Sequence, residues 1–274
     1  MAVAVGAVGW RLRELVRYRE LVANLVVRDL KLKYRRSVLG AVWSLLNPLI
    51  MMAIYTAVFN VILRVGRNFP PGYHYWAFVL VGLVAWLFFV NSLSGAVPSL
   101  AQNSNLIRKV YFPIEALTIS SVVANLVNFL ITLAALLIIL LVWSNHLGLS
   151  LVLLPVVVLA EIGFALGLSL LVASLTVYFR DLEHLVGLGL TALFYLTPVF
   201  YPLDTTVVPA IHKYGRYLEI NPMTWYIDTY HHILFRGDWP NPKLFGLMLA
   251  SSVIALVAGY AVFVRLRPRL PEEV

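Results

Sequence analysis

The feature that most constrains this chain is a sharp boundary near Ser37, where a strongly basic segment gives way to a long apolar run. Nine Lys and Arg residues precede the boundary, at positions 11, 13, 17, 19, 28, 31, 33, 35 and 36. Charged side chains at this density are costly in hydrocarbon, whereas the apolar run is costly in water. The chain is therefore predicted to enter a membrane at this point.

The composition excludes a soluble globular protein. Of the 274 residues 61% are hydrophobic and only 12% are charged, and the mean hydropathy is +0.86. The net charge of +8 comes from cations that cluster beside apolar runs, which favours anionic lipid headgroups over nucleic acid as partners. The sequence has no cysteine, so disulfides, thiol catalysis and thiolate metal sites are excluded.

Six apolar runs are long enough to cross about 30 Å of hydrocarbon. They lie at 38–63, 75–98, 114–143, 151–177, 185–201 and 243–264. The fifth run is the weakest, because Pro198 and Pro202 interrupt its end. We predict an all-α integral membrane protein with six transmembrane helices.

The distribution of basic residues predicts the orientation. With the N-terminus inside, 15 of the 21 Lys and Arg residues fall on the cytoplasmic side. Both termini of this multi-pass protein are therefore expected to face the cytoplasm. The predicted organisation is a cytoplasmic amphipathic interface segment at 1–36 and a six-span domain at 37–274. Within that domain the outer segment 202–242, rich in proline and aromatic residues, predicts short re-entrant helices.

Two predicted cytoplasmic loops are candidate contacts with a soluble partner. The loop 99–112 mixes amides and cations with apolar residues, which suits a short helix that docks into a partner's groove, although an ordinary turn has the same composition. At the inner end of the fourth span, Arg180, Asp181 and Glu183 form either a local ion pair or a second partner contact.

The spans carry almost no charge. Glu161 is the one carboxylate deep in an apolar run, so the sequence disfavours proton- or ion-coupled transport. Glu161 itself is predicted to have a polar partner on a neighbouring helix, with a substrate contact as the alternative. A metal site at Asp228, His231 and His232 would need further ligands, so packing of these side chains in an interfacial belt of aromatic residues is the favoured prediction. No GxSxG, HExxH or GxxxxGK[ST] motif is present, so any ATP that drives the protein binds to another chain.

Several motifs together resemble one family. Residues 26–49, VVRDLKLKYRRSVLGAVWSLLNPL, resemble the N-terminal signature of the permease subunits of type 2 ABC exporters of lipid-linked surface polysaccharides: O-antigen, capsule and wall teichoic acid. Further similar segments follow in the family's order: NLIRKVYFP (105–113), VYFRDLEHL (177–185), FYLTPVFYP (194–202) and NPMTWYIDTYHHILF (221–235). The resemblance thus covers the chain from end to end.

The resemblance implies a half-transporter that works as a homodimer with two copies of a separate ABC ATPase, which binds ATP and Mg. It implies a coupling helix in the loop 99–112 and re-entrant helices around the channel exit. The implied ATPase contacts are Asn105, Leu106, Ile107, Arg108, Lys109 and Tyr111, with Arg180, Asp181 and Glu183 as a smaller second contact.

Sugars are held by aromatic faces and neutral hydrogen-bonding groups, and the sequence offers aromatic residues on two spans. If the first and fifth spans face the dimer axis, the predicted substrate path is lined by Tyr34, Trp43, Tyr55, Phe59, Phe194, Tyr195, Phe200 and Tyr201. Packing against lipid or other helices is the alternative. Lys33, Arg35 and Arg36 are candidates for binding a lipid-linked pyrophosphate or, alternatively, topology determinants.

We interpret the chain as the membrane subunit of an ATP-driven exporter of an undecaprenyl-pyrophosphate-linked glycopolymer, with wall teichoic acid favoured over O-antigen or capsule. It is expected to be a transport subunit and not itself an enzyme. The alternatives are a type 2 ABC exporter of small lipids or drugs and a membrane-embedded glycosyltransferase.

Overall fold

The fold is entirely helical in the part of the chain that the structure describes. The computed structural model describes residues 18–35, 37, 39–62, 64–65, 69–109, 112–143, 147–203 and 217–270. The α-helices in these ranges are α1 (Arg19–Tyr34), α2 (Trp43–Tyr55), α3 (Tyr75–Ala96), α4 (Ser104–Lys109), α5 (Glu115–Trp143), α6 (Leu154–Tyr178), α7 (Leu182–Leu196), α8 (Pro222–Tyr230) and α9 (Pro242–Leu266). Two continue into π-helical turns: Thr56–Ile62 after α2 and His231–Arg236 after α8. The predicted all-α membrane fold is confirmed.

Five helical segments are long and apolar enough to cross a membrane. They are Trp43–Ile62, Tyr75–Ala96, Glu115–Trp143, Leu149–Tyr178 and Pro242–Arg269, which correspond to predicted spans one to four and six. The predicted fifth span corresponds to α7, which has 15 residues and ends at Leu196. Thr197 is extended there, as expected before Pro198. Because α7 is shorter than a full crossing, the count of six spans stays a prediction.

Helix α3 is the centre of the bundle, and α2, α5, α6 and α8 all pack against it. Its buried residues lie on all sides of the helix, as expected of a helix surrounded by others. Helix α2 is peripheral, since Pro48 alone is buried within Trp43–Ile62. Its exposed apolar residues, among them Ile50, Ile54 and Val61, face lipid or a second chain.

Helix α8 and its π turn are inserted among α3, α6 and α9. Asn221 caps the helix by accepting the N–H of Met223, with a distance of 3.0 Å from Oδ1 to N. Gly237 ends the π turn in the left-handed conformation, with φ of 73°. Tyr226 and Tyr230 are fully buried, which is compatible with the predicted re-entrant segment.

Helices α6 and α9 pair along stripes of small residues. A Cβ atom at Gly259 would lie 1.9 Å from the backbone oxygen of Gly167, so the two backbones touch at this level. Nearby, the Tyr230 hydroxyl donates to Glu161 Oε2 at 2.6 Å. Glu161 therefore bonds to a neighbouring helix, as its sequence position predicted.

The segments that the charge distribution assigns to the cytoplasm lie together at one end of the molecule, here called the inner end. Buried side chains from α1, α4, α5, α6 and the end of α9 form one cluster there, and its members include Leu25, Leu100, Ile107, Phe112, Leu117, Leu170, Phe263 and Leu270. Helix α1 lies against α5. The predicted interface segment is thus helical from Arg19, its residues 1–17 lie outside the described ranges, and its boundary at 36 stays a prediction.

Candidate functional site

A cleft at the inner end brings the two predicted partner contacts together. It has a volume of about 550 Å³ and lies between the turn that precedes α4 and the turn between α6 and α7. Gln102 and Ser104 line one side, and Arg180 and Glu183 line the other. Two segments that are about 75 residues apart in sequence thus form a single surface. We call this surface the inner cleft.

Of the α4 residues only Ser104 lines the cleft, and the others are either exposed beside it or packed into the buried cluster of Leu25, Ile107 and Phe263 at the inner end, here called the inner cluster. Asn105, Arg108 and Lys109 are exposed, whereas Leu106 is half-buried. Ile107 is buried in the inner cluster, where it holds the helix down and has little surface to offer a partner in this conformation. Tyr111 lies outside the described residues.

The turn between α6 and α7 carries an apolar residue that the sequence reasoning missed. Arg180, Asp181 and Glu183 are all exposed there. The ring of Phe179 beside them is 67% exposed. An exposed aromatic ring rimmed by charged groups is typical of a protein docking surface. In the sequence, the position of Phe179 directly before the charged residues of the turn could have indicated this docking surface.

Helices α2 and α7 bring six of the eight predicted substrate-path aromatics into one cluster, here called the aromatic cluster. Its members are Tyr55, Phe59, Phe194, Tyr195, Phe200 and Tyr201. Phe200 is the centre, with its ring centroid 4.4 Å from that of Phe59 and 5.5 Å from that of Phe194. Trp86 of α3 also joins, 5.5 Å from Phe194, and was missed because a tryptophan in an apolar span has no distinctive pattern.

The remaining two aromatics, Tyr34 and Trp43, lie in a different place. They line a polar groove between α1, α2, α3 and α5 that consists of two adjoining cavities of about 550 and 240 Å³. Both cavities are lined by Lys33, Asn91 and Asn125. Asn47 and Asn128 also line the smaller cavity. We call this space the asparagine groove.

Hydrogen bonds tie α1 to the walls of the asparagine groove. The Tyr34 hydroxyl donates to Asn128 Oδ1 at 2.6 Å, and Lys33 Nζ donates to Asn125 Oδ1 at 3.2 Å. Partial desolvation by these walls lowers the pKa of the Lys33 ammonium group. The amide of Asn125 in turn donates to the backbone oxygens of Asn91 and Ser121. Sequence reasoning missed this set, although asparagines inside apolar spans are themselves a signal of polar contacts.

The three predicted pyrophosphate residues do not share one environment. Lys33 faces the asparagine groove, whereas Arg35 follows the end of α1 and is exposed. Arg36 lies outside the described residues.

The histidines of the outer segment have structural contacts. The His231 ring stacks on Phe78 at 3.8 Å between centroids, and its Nε2 lies 3.0 Å from the Phe78 backbone oxygen. His232 Nδ1 lies 2.6 Å from Asp238 Oδ1, and its Nε2 lies 3.7 Å from Asp228 Oδ2. Among the described residues, no group of three or more His, Cys, Asp or Glu side chains has the geometry of a metal site.

Five helices long and apolar enough to cross a membrane, with polar cavities between them, define the class of multi-pass helical membrane proteins. A family model described as ABC-2 type transporter matches residues 20–235. The chain belongs to this family and is the permease of a type 2 ABC exporter.

Curated relatives match over almost their whole length. The chain is 36% identical to an O-antigen export system permease protein RfbA of Myxococcus xanthus, over 96% of this chain and 98% of the relative. It is 30% identical to a protein of the same name from Klebsiella pneumoniae, over 92% and 94%. A more distant relative, the polysialic acid transport protein KpsM of Escherichia coli, is 21% identical over 88% and 92%.

Proposed function

We propose that this chain moves a lipid-linked surface polysaccharide of the O-antigen or capsule type across the bacterial cytoplasmic membrane. The names of its relatives, which refer to O-antigen export and polysialic acid transport, support this substrate class. The preference for wall teichoic acid, drawn from overall sequence likeness, gains no support from them. An undecaprenyl pyrophosphate carrier remains part of the proposal.

The observation that carries the proposal is the inner cleft. Gln102, Ser104, Arg180 and Glu183 line the cleft. The exposed residues of α4 and the exposed ring of Phe179 adjoin these positions in the chain, so apolar and charged groups lie at and beside the cleft, which suits a soluble partner. Because the sequence has no phosphate-binding loop, the energy of ATP has to enter through such a contact. The partner is an ABC ATPase that binds ATP and Mg, present in two copies with two copies of this chain.

The proposed substrate path runs past the aromatic cluster. Ring faces hold sugar rings through dispersion and CH contacts without fixing them by charge, so a polymer can slide along them. Tyr195 is 58% exposed at the edge of this cluster, about two helical turns after the exposed Leu188 on the same face of α7. In the proposed homodimer, α2 and α7 of two copies face each other and enclose the path. Both termini lie in the cytoplasm.

The decisive experiment is to purify the chain together with its partner ATPase and to measure ATP hydrolysis with and without a polyprenyl-pyrophosphate glycopolymer. The proposal expects a stable complex whose hydrolysis rate rises with that substrate. Stimulation by small hydrophobic compounds instead would favour an exporter of small lipids or drugs. A chain that recruits no ATPase would refute the proposal and favour a membrane glycosyltransferase.

The coupling role of α4 predicts the effect of charge reversal. Arg108→Glu combined with Lys109→Glu should abolish export and substrate-stimulated hydrolysis while the protein still inserts, because both exposed cations face the proposed ATPase. Lys31→Glu, an exposed cation on α1 away from the inner cleft, is the matched control and should export normally. Unchanged export by the double variant would count against the coupling role.

A further inference from the structure

The asparagine groove has a composition that helix packing does not explain. Of the residues Tyr75–Ala96 in α3, the most deeply buried helix of the bundle, only Asn91 and Ser94 are exposed. Both side chains line the larger cavity of the groove. The two most exposed positions of the central helix are therefore polar and face the same cavity.

The groove contains two kinds of polar side chain. Asn125 and Asn128 bond to neighbouring groups, as expected of polar residues that hold helices together. Within the described part of the chain, no hydrogen bond is made by the side chains of Asn47, Asn91 or Ser94. These three residues are exposed within the groove, so their polar atoms are accessible to a ligand.

The groove also carries a positive charge that the protein does not neutralise. The recorded partner of Lys33 Nζ is the neutral amide oxygen of Asn125, and among the described residues no carboxylate forms an ion pair with it. Asp29 lines the larger cavity, but its carboxylate is paired with Arg28 at 2.9 Å. An ammonium group that lines a cavity and has no counter-ion favours an anionic ligand.

We propose that the asparagine groove binds the head of a phosphate-linked sugar lipid, with a phosphate oxygen at Lys33 Nζ and sugar hydroxyls at the side chains of Asn47, Asn91 and Ser94. The volume of about 550 Å³ of the larger cavity is in the usual range for a small-ligand site. Trp43, 46% exposed at the smaller cavity, supplies a ring face for a sugar. This inference rests on the proposed function, because a lipid-linked polysaccharide carries both groups at its membrane end.

The groove lies beside the coupling segment as well. Arg28 Nη1 donates to Asn103 Oδ1 at 2.8 Å, which joins α1 to the turn before α4. Gln102 lines both the asparagine groove and the inner cleft. A head bound in the groove is therefore separated from the proposed ATPase surface by a single turn of chain.

The test is a binding titration of the full-length permease with its partner ATPase, followed by native mass spectrometry. The probes are undecaprenyl-pyrophosphoryl-N-acetylglucosamine, undecaprenyl pyrophosphate without sugar, and phosphatidylglycerol. Lys33→Gln should weaken both undecaprenyl probes about tenfold, the usual effect of losing a charge-assisted bond. Asn91→Leu and Asn47→Leu should weaken only the probe with the sugar, by about fivefold each. Lys31→Gln, on the same helix outside the groove, should bind like the wild type.

The outcomes separate the inference from the proposed function. If the wild type binds the sugar probe and Lys33→Gln and both asparagine variants bind it equally well, the groove is not the site and the proposed function stands. If phosphatidylglycerol displaces the undecaprenyl probes at equal concentration, the groove is a site for ordinary membrane lipid and the inference is wrong. If the wild type binds neither undecaprenyl probe, both proposals fall.

Discussion

Removal of the Tyr230 hydroxyl should destabilise the bundle by a predictable amount. Tyr230 is 1% exposed and Glu161 is fully buried, and the distance of 2.6 Å between the Tyr230 hydroxyl and Glu161 Oε2 indicates a strong bond. Glu161 Oε1 has no partner among the described residues. In Tyr230→Phe the carboxyl group would therefore lose this hydrogen bond, and the only atom removed from the packing is one oxygen.

The size of the effect follows from the desolvation of an unpaired group. A buried polar group that loses its partner costs about 1–3 kcal/mol, and each kcal/mol shifts the melting temperature of a chain of this length by about 2–4 °C. We expect Tyr230→Phe to lower the melting temperature by about 2–12 °C. Thermal unfolding of the purified permease in detergent, followed by intrinsic fluorescence, measures this shift.

A double-mutant cycle tests the cause. The double variant Glu161→Leu/Tyr230→Phe lacks both polar groups. It should recover most of the stability lost in Tyr230→Phe, because no buried carboxyl group is then left unpaired. Thr191→Val is the matched control, since its hydroxyl bonds to Gly187 O at an exposed position on α7 and its loss should change little. An unchanged melting temperature in Tyr230→Phe, or a double variant no more stable than that single variant, would refute the reasoning.

Two further predictions concern packing. Gly259→Ala should lower the free energy of unfolding by about 1–3 kcal/mol, because its Cβ would meet the α6 backbone at 1.9 Å. Gly246→Ala on the same helix meets nothing within 4 Å and should be neutral or stabilising. Equal effects in the two glycine variants would contradict the close approach. Phe200→Ala should cost about 3–5 kcal/mol in the same thermal assay, because the ring is 4% exposed at the centre of the aromatic cluster. Tyr195→Ala, at 58% exposure, should cost much less, and a reversed order would exclude Phe200 as the centre.

The parts of the fold that local chemistry decides were predictable from the sequence. The pair Pro198 and Pro202 indicated an early end to the fifth apolar run, and α7 does end at Leu196 because a residue before proline avoids the helical conformation. The spans around Tyr75–Ala96 and Glu115–Trp143 followed from length and hydropathy alone. Each of these features depends on a continuous stretch of chain.

The sites that depend on how helices turn toward each other were only partly predictable. Trp43 and Tyr55 lie on the same apolar span, but 12 residues of helix separate them by about 18 Å along the axis. Only Tyr55 therefore reaches the aromatic cluster. The asparagine groove depends on which faces of four helices meet, and the hydropathy of Asn91 within α3 does not indicate the direction in which it points.

The short length of α7 has a consequence for the membrane itself. Fifteen residues at about 1.5 Å each give a helix of about 22 Å, against a hydrocarbon layer of about 30 Å. Its exposed Leu185, Leu188 and Leu196, which the proposed homodimer places against the second copy, do not reach across a layer of full thickness, so lipid at the rim of that interface is expected to thin. A polar chain leaving the aromatic cluster at the end of α7 would then meet the thinnest part of the bilayer, where the distance between the two aqueous phases is shortest.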